Sequence, residues 1–112
     1  MPSTKPTHTT KGGTPKESEI QRSIAAALRA EGWLVIKLIQ TNYNGIPDLI
    51  CHRNGRTVYI EIKRPGIAPN ALQVLRHDEL RNAGMEVYVM DDVNQSSPLL
   101  AHETTNRTRV PS

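Results

Sequence analysis

The chain has 112 residues, of which 37% are hydrophobic and 22% charged, and its formal net charge is +3. This length leaves room for one domain with a modest core. The single cysteine, Cys51, excludes an internal disulfide. No apolar run reaches the roughly 18 residues that a membrane span requires, so we expect a soluble, intracellular protein. The small basic excess favours polyanionic partners without identifying one.

The first predicted element is a helix over residues 17–31. Residues 1–16 are rich in Thr, Pro, Gly and Lys and are predicted to form a disordered tail. The helix is indicated by apolar positions that recur on one helical face and by Gly32, which follows them as a stop signal. These apolar positions are Ile20, Ile24, Ala27 and Leu28. The run 33–39, WLVIKLI, is predicted to be the first strand because it is short, apolar and rich in strand formers.

The segments 47–53 and 56–63 are predicted to form a β-hairpin. Both alternate apolar and polar side chains, and they flank Asn54-Gly55. Asn-Gly between two such segments is the strongest short-range hairpin signal, because both central residues of the turn must adopt a positive φ. The sequence therefore predicts strands two and three as antiparallel neighbours.

A second helix is predicted over residues 71–83, with Asn70 as its N-cap and Gly84 as its stop. Its expected core-facing residues are Leu72, Leu75, Leu80 and Ala83. Residues 85–90 are predicted to be a fourth strand, parallel to the third, because the helix is long enough to be a crossover. The order α-β-β-β-α-β predicts an α/β fold with a mixed four-stranded sheet flanked by helices. The folded domain is expected to span residues 17–93, with 94–112 as a flexible tail.

Two carboxylates are expected to face each other across the hairpin. A two-residue turn pairs Arg53 with Arg56, and the same register places Asp48 opposite Glu61, with Cβ atoms about 4.5–5.5 Å apart. A four-residue loop keeps this register, whereas a three-residue loop does not. Facing carboxylates repel, so a positive partner is expected: the Lys63 ammonium group on the same strand face, or a divalent cation such as Mg²⁺. The alternative is a solvated charge cluster on an exposed sheet face.

The other face of the hairpin is predicted to pack in the core. Its residues are Leu49, Cys51, Val58, Ile60 and Ile62. His52 lies on the Asp48 face but four residues away, so it is expected to be structural. Trp33 is expected in the core or at an interface.

The motif Pro47-Asp48 followed by Glu61-Ile62-Lys63 resembles that of the PD-(D/E)XK nuclease superfamily. The chain more closely resembles its VRR-NUC branch, over about residues 17–91. The matching segments are ESEIQ at 17–21, GIPDL at 45–49, EIK at 61–63, and Gln73 upstream of Gly84. This resemblance implies a restriction-endonuclease-like core and metal-dependent hydrolysis of DNA phosphodiester bonds, leaving 5′-phosphate and 3′-hydroxyl ends.

The resemblance implies that Asp48, Glu61 and Lys63 are catalytic. It implies that the two acids hold Mg²⁺, with Mn²⁺ as a substitute and the backbone carbonyl of Ile62 as a further ligand. Gln73 would orient Lys63 or a water molecule. Whether one or two ions act stays open.

The family pattern also includes a glutamate of the first helix, and both Glu17 and Glu19 are available. On a helical wheel Glu17 falls within about 20° of Ile24, in line with the apolar face, whereas Glu19 points towards solvent. We therefore favour Glu17 as a catalytic residue and metal ligand, with Glu19 as the alternative.

The chain is similar to the stand-alone members of this branch, which phages and bacteria carry. These proteins act as homodimers that cleave four-way (Holliday) junctions. The resemblance implies branched DNA and a second copy as partners, and the interior of a bacterial cell as the location. Candidate phosphate contacts are Lys16, Arg22, Lys37, Arg53, Arg56, Arg64 and Arg76. The alternatives are a flap or nicking nuclease, an inactive nucleic-acid-binding module of the same fold, and an interaction subunit that docks a basic partner.

Overall fold

The computed structural model of the chain describes residues 15–96. Its main elements are α1 (Glu17–Ala30), β1 (Leu34–Lys37), β2 (Leu49–Arg53), β3 (Arg56–Ile62), α2 (Ala71–Asn82) and β4 (Glu86–Met90). A short 3-10 helix, Val93–Gln95, continues past the predicted domain end. The predicted tails lie outside the described residues except for 15–16 and 94–96, and the domain boundaries stay predictions.

The four strands form one mixed sheet in the order β1-β2-β3-β4. The pairs β1–β2 and β2–β3 are antiparallel, whereas β3 and β4 are parallel. A parallel pair needs a crossover connection, and α2 supplies it. The predicted element order and fold class are therefore confirmed.

The hydrophobic core lies between α1 and one face of the sheet. The helix buries Ile20, Ile24, Ala25 and Leu28. The sheet contributes the five hairpin residues predicted from alternation, together with Val35. Fully burying a valine, leucine or isoleucine side chain contributes about 1.5–3 kcal/mol to the free energy of unfolding. Burial also raises the pKa of the Cys51 thiol to about 11, so this cysteine is a neutral packing residue.

The hairpin turn has the predicted geometry. Asn54 and Gly55 both have positive φ, at 51° and 80°. Arg53 pairs with Arg56, and the ladder continues to the pair Leu49–Ile60. The two-residue turn and its register are thus confirmed, with Asp48 one residue before the start of β2.

The predicted packing of α2 is wrong. Leu72 and Leu75 are 41% and 50% exposed, Ala83 is also exposed, and Leu80 is only half-buried. The buried residue of this helix is His77. The helix faces the sheet beside Glu61, a polar side chain, so polar residues of α2 occupy the positions where the sequence suggested leucines.

No helix within residues 15–96 is long and apolar enough to cross a membrane.

Candidate active site

Asp48 is held at the end of the hairpin by two backbone contacts. Its Oδ2 atom accepts a hydrogen bond of 2.7 Å from the backbone N–H of Ile62, and its own carbonyl accepts one of 2.8 Å from the N–H of Leu38. Pro47, immediately before it, is fully buried. The Asp48 carboxylate is therefore fixed against the end of β3.

Glu61 lies on the opposite sheet face from the core and is only 2% exposed. Its Oε2 atom accepts a hydrogen bond of 2.9 Å from Nε2 of Gln73 and lies 3.6 Å from Nζ of Lys63. The Lys63 side chain is 13% exposed, so most of its length is buried beside the carboxylate. The structure thus brings Glu61, Lys63 and Gln73 together, and all three are predicted site residues.

The surroundings of the two acids disfavour their ionised forms. Burial raises the pKa of Glu61 to about 7, and the negative charge of Asp48 adds to this effect, while Lys63 opposes it. Burial also raises the pKa of Asp48, against the hydrogen bond from Ile62, which lowers it. Desolvation combined with a neighbouring like charge is typical of sites that bind a cation or transfer a proton during catalysis.

The two glutamates of the first helical turn have different environments. Glu19 accepts a hydrogen bond of 3.2 Å at Oε1 from the backbone N–H of Lys16, so it caps α1. The negative charge of Glu17 raises the pKa of both Asp48 and Glu61, which places Glu17 within electrostatic reach of the pair. Glu17 itself is exposed at the start of α1.

His77 is a residue of this site that the sequence analysis missed. It is 2% exposed, and its Nε2 atom lies 3.6 Å from Oε1 of Glu61. Burial and the positive charge of Arg81 lower its pKa, which favours the neutral imidazole. The available signal was its spacing: His77 follows Gln73 by four residues, which places both on one face of a helix.

The loop that leads to Asp48, residues 38–48, is attached to α2. Nε of Arg76 donates a hydrogen bond of 2.8 Å to the carbonyl of Asn44, and its guanidinium carbon lies 3.9 Å from the ring centre of Tyr43. Gly45 has φ +89°, and a Cβ there would lie 2.8 Å from Cγ of Leu72. Arg76 thus anchors this loop, while its contact with phosphate stays a prediction.

Two other predicted phosphate contacts also have structural partners. Arg56 is 7% exposed and makes two hydrogen bonds of 2.7 Å to Glu86. Arg53 donates to the carbonyl of Glu31 at 2.6 Å. Both arginines lie at the turn end of the hairpin; Arg56 is five residues, or about 17 Å, along the strand from Glu61. These partners and this position place both arginines away from the acidic pair, and their role in DNA binding stays a prediction.

The remaining basic candidates are exposed, and two of them lie at the acidic end of the sheet. Lys37 pairs with Leu49, next to Asp48, and Arg64 directly follows Lys63. The others are Lys16, which precedes Glu17, and Arg22, further along α1.

A magnesium ion fits the donor set. Within residues 15–96, no group of three or more His, Cys, Asp or Glu side chains could hold a metal ion. Mg²⁺ does not require such a cage, since it binds through one or two carboxylates and keeps waters or phosphate oxygens. Asp48 and Glu61 supply these carboxylates. The N–H and C=O of a strand residue point to the same neighbour, so the Ile62 carbonyl lies on the Asp48 side.

The raised pKa of Glu61 predicts a pH-dependent stability without divalent ions. Protonated Glu61 is favoured in the folded state, so its stabilising contribution is complete below pH 4.5 and is lost as pH rises to about 7. Glu61→Gln mimics the protonated acid. The free energy of unfolding of Glu61→Gln minus that of the native chain should therefore increase from pH 4.5 to 7. Urea titrations with EDTA measure this difference.

Glu31→Gln, which removes an exposed carboxylate, controls for the change in net charge. Parallel pH profiles for the native chain and Glu61→Gln would contradict the burial argument.

Comparison with known proteins identifies the family. No protein-family model matches the chain. The chain is 31% identical over 87 residues to "Putative nuclease p44" of Acyrthosiphon pisum secondary endosymbiont phage 1, covering 77% of this chain and 94% of that protein. A solved structure described as "VRR_NUC domain" matches with a TM-score of 0.69 and 28% identity, over 77% of this chain and 95% of that one. By this relative, this structure and its acidic pair, the chain belongs to the VRR-NUC family of nucleases, within the PD-(D/E)XK superfamily.

Proposed function

We propose that the chain is a magnesium-dependent DNA endonuclease that hydrolyses phosphodiester bonds at the site of Asp48, Glu61 and Lys63. The observation that carries this proposal is the desolvated carboxylate pair, whose Glu61 lies 3.6 Å from a lysine ammonium group. A cation that binds both acids would relieve their repulsion and meet the phosphate beside Lys63. Membership of a nuclease family supports the same chemistry.

Asp48 and Glu61 would hold the ion, with the Ile62 carbonyl as a further ligand. When bound, the ion polarises the scissile phosphate and lowers the pKa of a water molecule. The hydrogen bond from the Ile62 N–H keeps Asp48 oriented before the substrate arrives. Glu17, exposed and within electrostatic reach of both acids, would bind a water or a second ion.

Lys63 and Gln73 complete the site. The largely buried Lys63 would donate to a phosphate oxygen as negative charge develops, which is worth most where water is excluded. Gln73 accepts from the N–H of Asn70 at Oε1 and donates to Glu61 at Nε2, so its amide is fixed at both ends. Gln73 would therefore orient Glu61, whereas the sequence predicted that it orients Lys63 or a water molecule.

Asp48→Asn tests the catalytic proposal. The amide oxygen still accepts from the Ile62 N–H, so the fold should persist, while one negative ligand of the ion is lost. Losing an indirect partner of a metal ligand costs about 10–100-fold, so losing a ligand should reduce Mg²⁺-dependent cleavage by about 100-fold or more. DNA binding, measured by anisotropy in EDTA, should be retained.

Asp78→Asn is the matched control, because that carboxylate is 63% exposed on α2 and forms an ion pair with Arg81. If the native chain binds DNA but never cleaves it with Mg²⁺ or Mn²⁺, the inactive binding module is correct. If calorimetry shows no divalent-ion binding, the docking subunit is favoured.

The exposed basic residues at the acidic end of the sheet support binding of the DNA backbone. Lys37→Gln and Arg64→Gln should each weaken binding to DNA of any sequence. Each lost phosphate contact should reduce the slope of log affinity against log salt by about 0.9. Arg53→Gln is the control, since Arg53 lies at the turn end of the hairpin. Equal slopes for all three variants would contradict phosphate contacts by Lys37 and Arg64.

We propose further that the substrate is branched DNA, cut at a four-way junction by a homodimer. Symmetric cleavage of a junction needs two sites related by a two-fold axis. The support for a second copy is the apolar face of β1 that points away from the core, where Leu34 and Ile36 are 59% and 41% exposed. Adjacent exposed apolar side chains on one strand favour an interface.

Cleavage of matched four-way, flap, nicked and linear DNAs with Mg²⁺ tests this substrate. We expect a preference for the four-way junction and a dimer mass by light scattering. Leu34→Ser combined with Ile36→Ser should yield a monomer that loses this preference. The control is Ile39→Ser, which changes an 81% exposed residue beyond the strand. A native monomer that prefers flaps would support the flap or nicking nuclease.

A further inference from the structure

Two buried polar atoms without hydrogen-bond partners face each other, one on the acidic pair and one on α2. They are Oε1 of Glu61 and Nε2 of His77, which lie 3.6 Å apart. Each belongs to a side chain that is almost fully buried. A buried donor or acceptor left unpaired costs about 1–3 kcal/mol, so the two atoms as they stand are unfavourable for stability.

The same helix face reaches both oxygens of this carboxylate. Gln73 donates to Oε2 at 2.9 Å, and His77, one turn later, faces Oε1. A shift that shortens the 3.6 Å separation to about 3.0 Å would complete a second hydrogen bond. A carboxylate has about four acceptor positions, so two donors from α2 would still leave positions for a cation.

Neutral donors suit a metal ligand better than charged ones. With Lys63 already beside Oε2, a second cationic side chain at position 77 would compete with the ion for Glu61. A neutral imidazole, like the Gln73 amide, restricts the carboxylate without removing its negative charge. The carboxylate neighbour also indicates which tautomer is useful, because only Nε2–H can donate to Oε1.

We propose that His77 is a positioning residue that donates from Nε2–H to Oε1 of Glu61 and holds this carboxylate in the orientation that binds the divalent ion. The inference rests on the proposed role of Glu61 as a metal ligand. His77 touches neither the substrate nor the ion, and acts only through Glu61.

His77→Leu separates this role from a structural one. Leucine has a similar volume and removes the unpaired imidazole nitrogen, so in EDTA the variant should unfold at the same or a higher urea concentration than the native chain. Its affinity for Mg²⁺ alone, measured by calorimetry without DNA, should fall about 10–100-fold. His77→Gln, which keeps a donor, should restore the affinity to within a few-fold of the native value.

Leu80→Ala is the matched control on the same helix face. Leu80 is half-buried and has no polar group, so its truncation should lower stability and leave the affinity of the folded protein for Mg²⁺ unchanged. Opposite effects of the two variants on stability and ion affinity would support the proposal. Unchanged Mg²⁺ affinity in His77→Leu, or no rescue by His77→Gln, would overturn it.

A measurement on the native chain keeps the proposal testable if His77→Leu does not fold. Nitrogen-15 spectra of the imidazole should show the Nε2–H tautomer with Mg²⁺ present; an unprotonated Nε2 would overturn the proposal. If the native chain binds no Mg²⁺, the proposed function fails together with this inference. If it binds Mg²⁺ normally and the His77 variants do too, only the inference fails.

Discussion

The register of the central hairpin determines both the core and the acidic site. Strand β3 directs Ile60 and Ile62 into the core and Glu61 towards α2, because side chains alternate along a strand. A slip of one residue would exchange these faces, placing a carboxylate in the core and isoleucines beside Asp48. The two-residue turn at Asn54-Gly55 prevents this slip, so a local backbone requirement fixes the position of an acid six residues away.

The second constraint is electrostatic. Glu61 is buried among groups that only partly offset its charge, and this raises its pKa to about 7. A fold selected only for stability would place an apolar residue there. Instead, α2 directs Gln73 and His77 towards the sheet and leaves Leu72 and Leu75 exposed. The polar face of this helix is thus explained by the carboxylate beneath it.

The sequence was sufficient for the features that depend on local signals. Turn chemistry and strand alternation predicted the element order, the register and the meeting of Asp48 with Glu61. They could not predict the orientation of α2, since its leucines are spread around the helix and no single apolar stripe is defined. Nor could they predict the partner of Arg56, because Glu86 lies 30 residues away along the chain and meets it only through the parallel pairing of β3 and β4.

Both acids depend on one helix, although neither belongs to it. Arg76 ties α2 to the loop that ends at Asp48, while Gln73 ties the same helix to Glu61. A tilt of α2 would therefore displace the two carboxylates together. A compound bound between this helix and the loop 38–48 would therefore displace both carboxylates without occupying the acidic site itself.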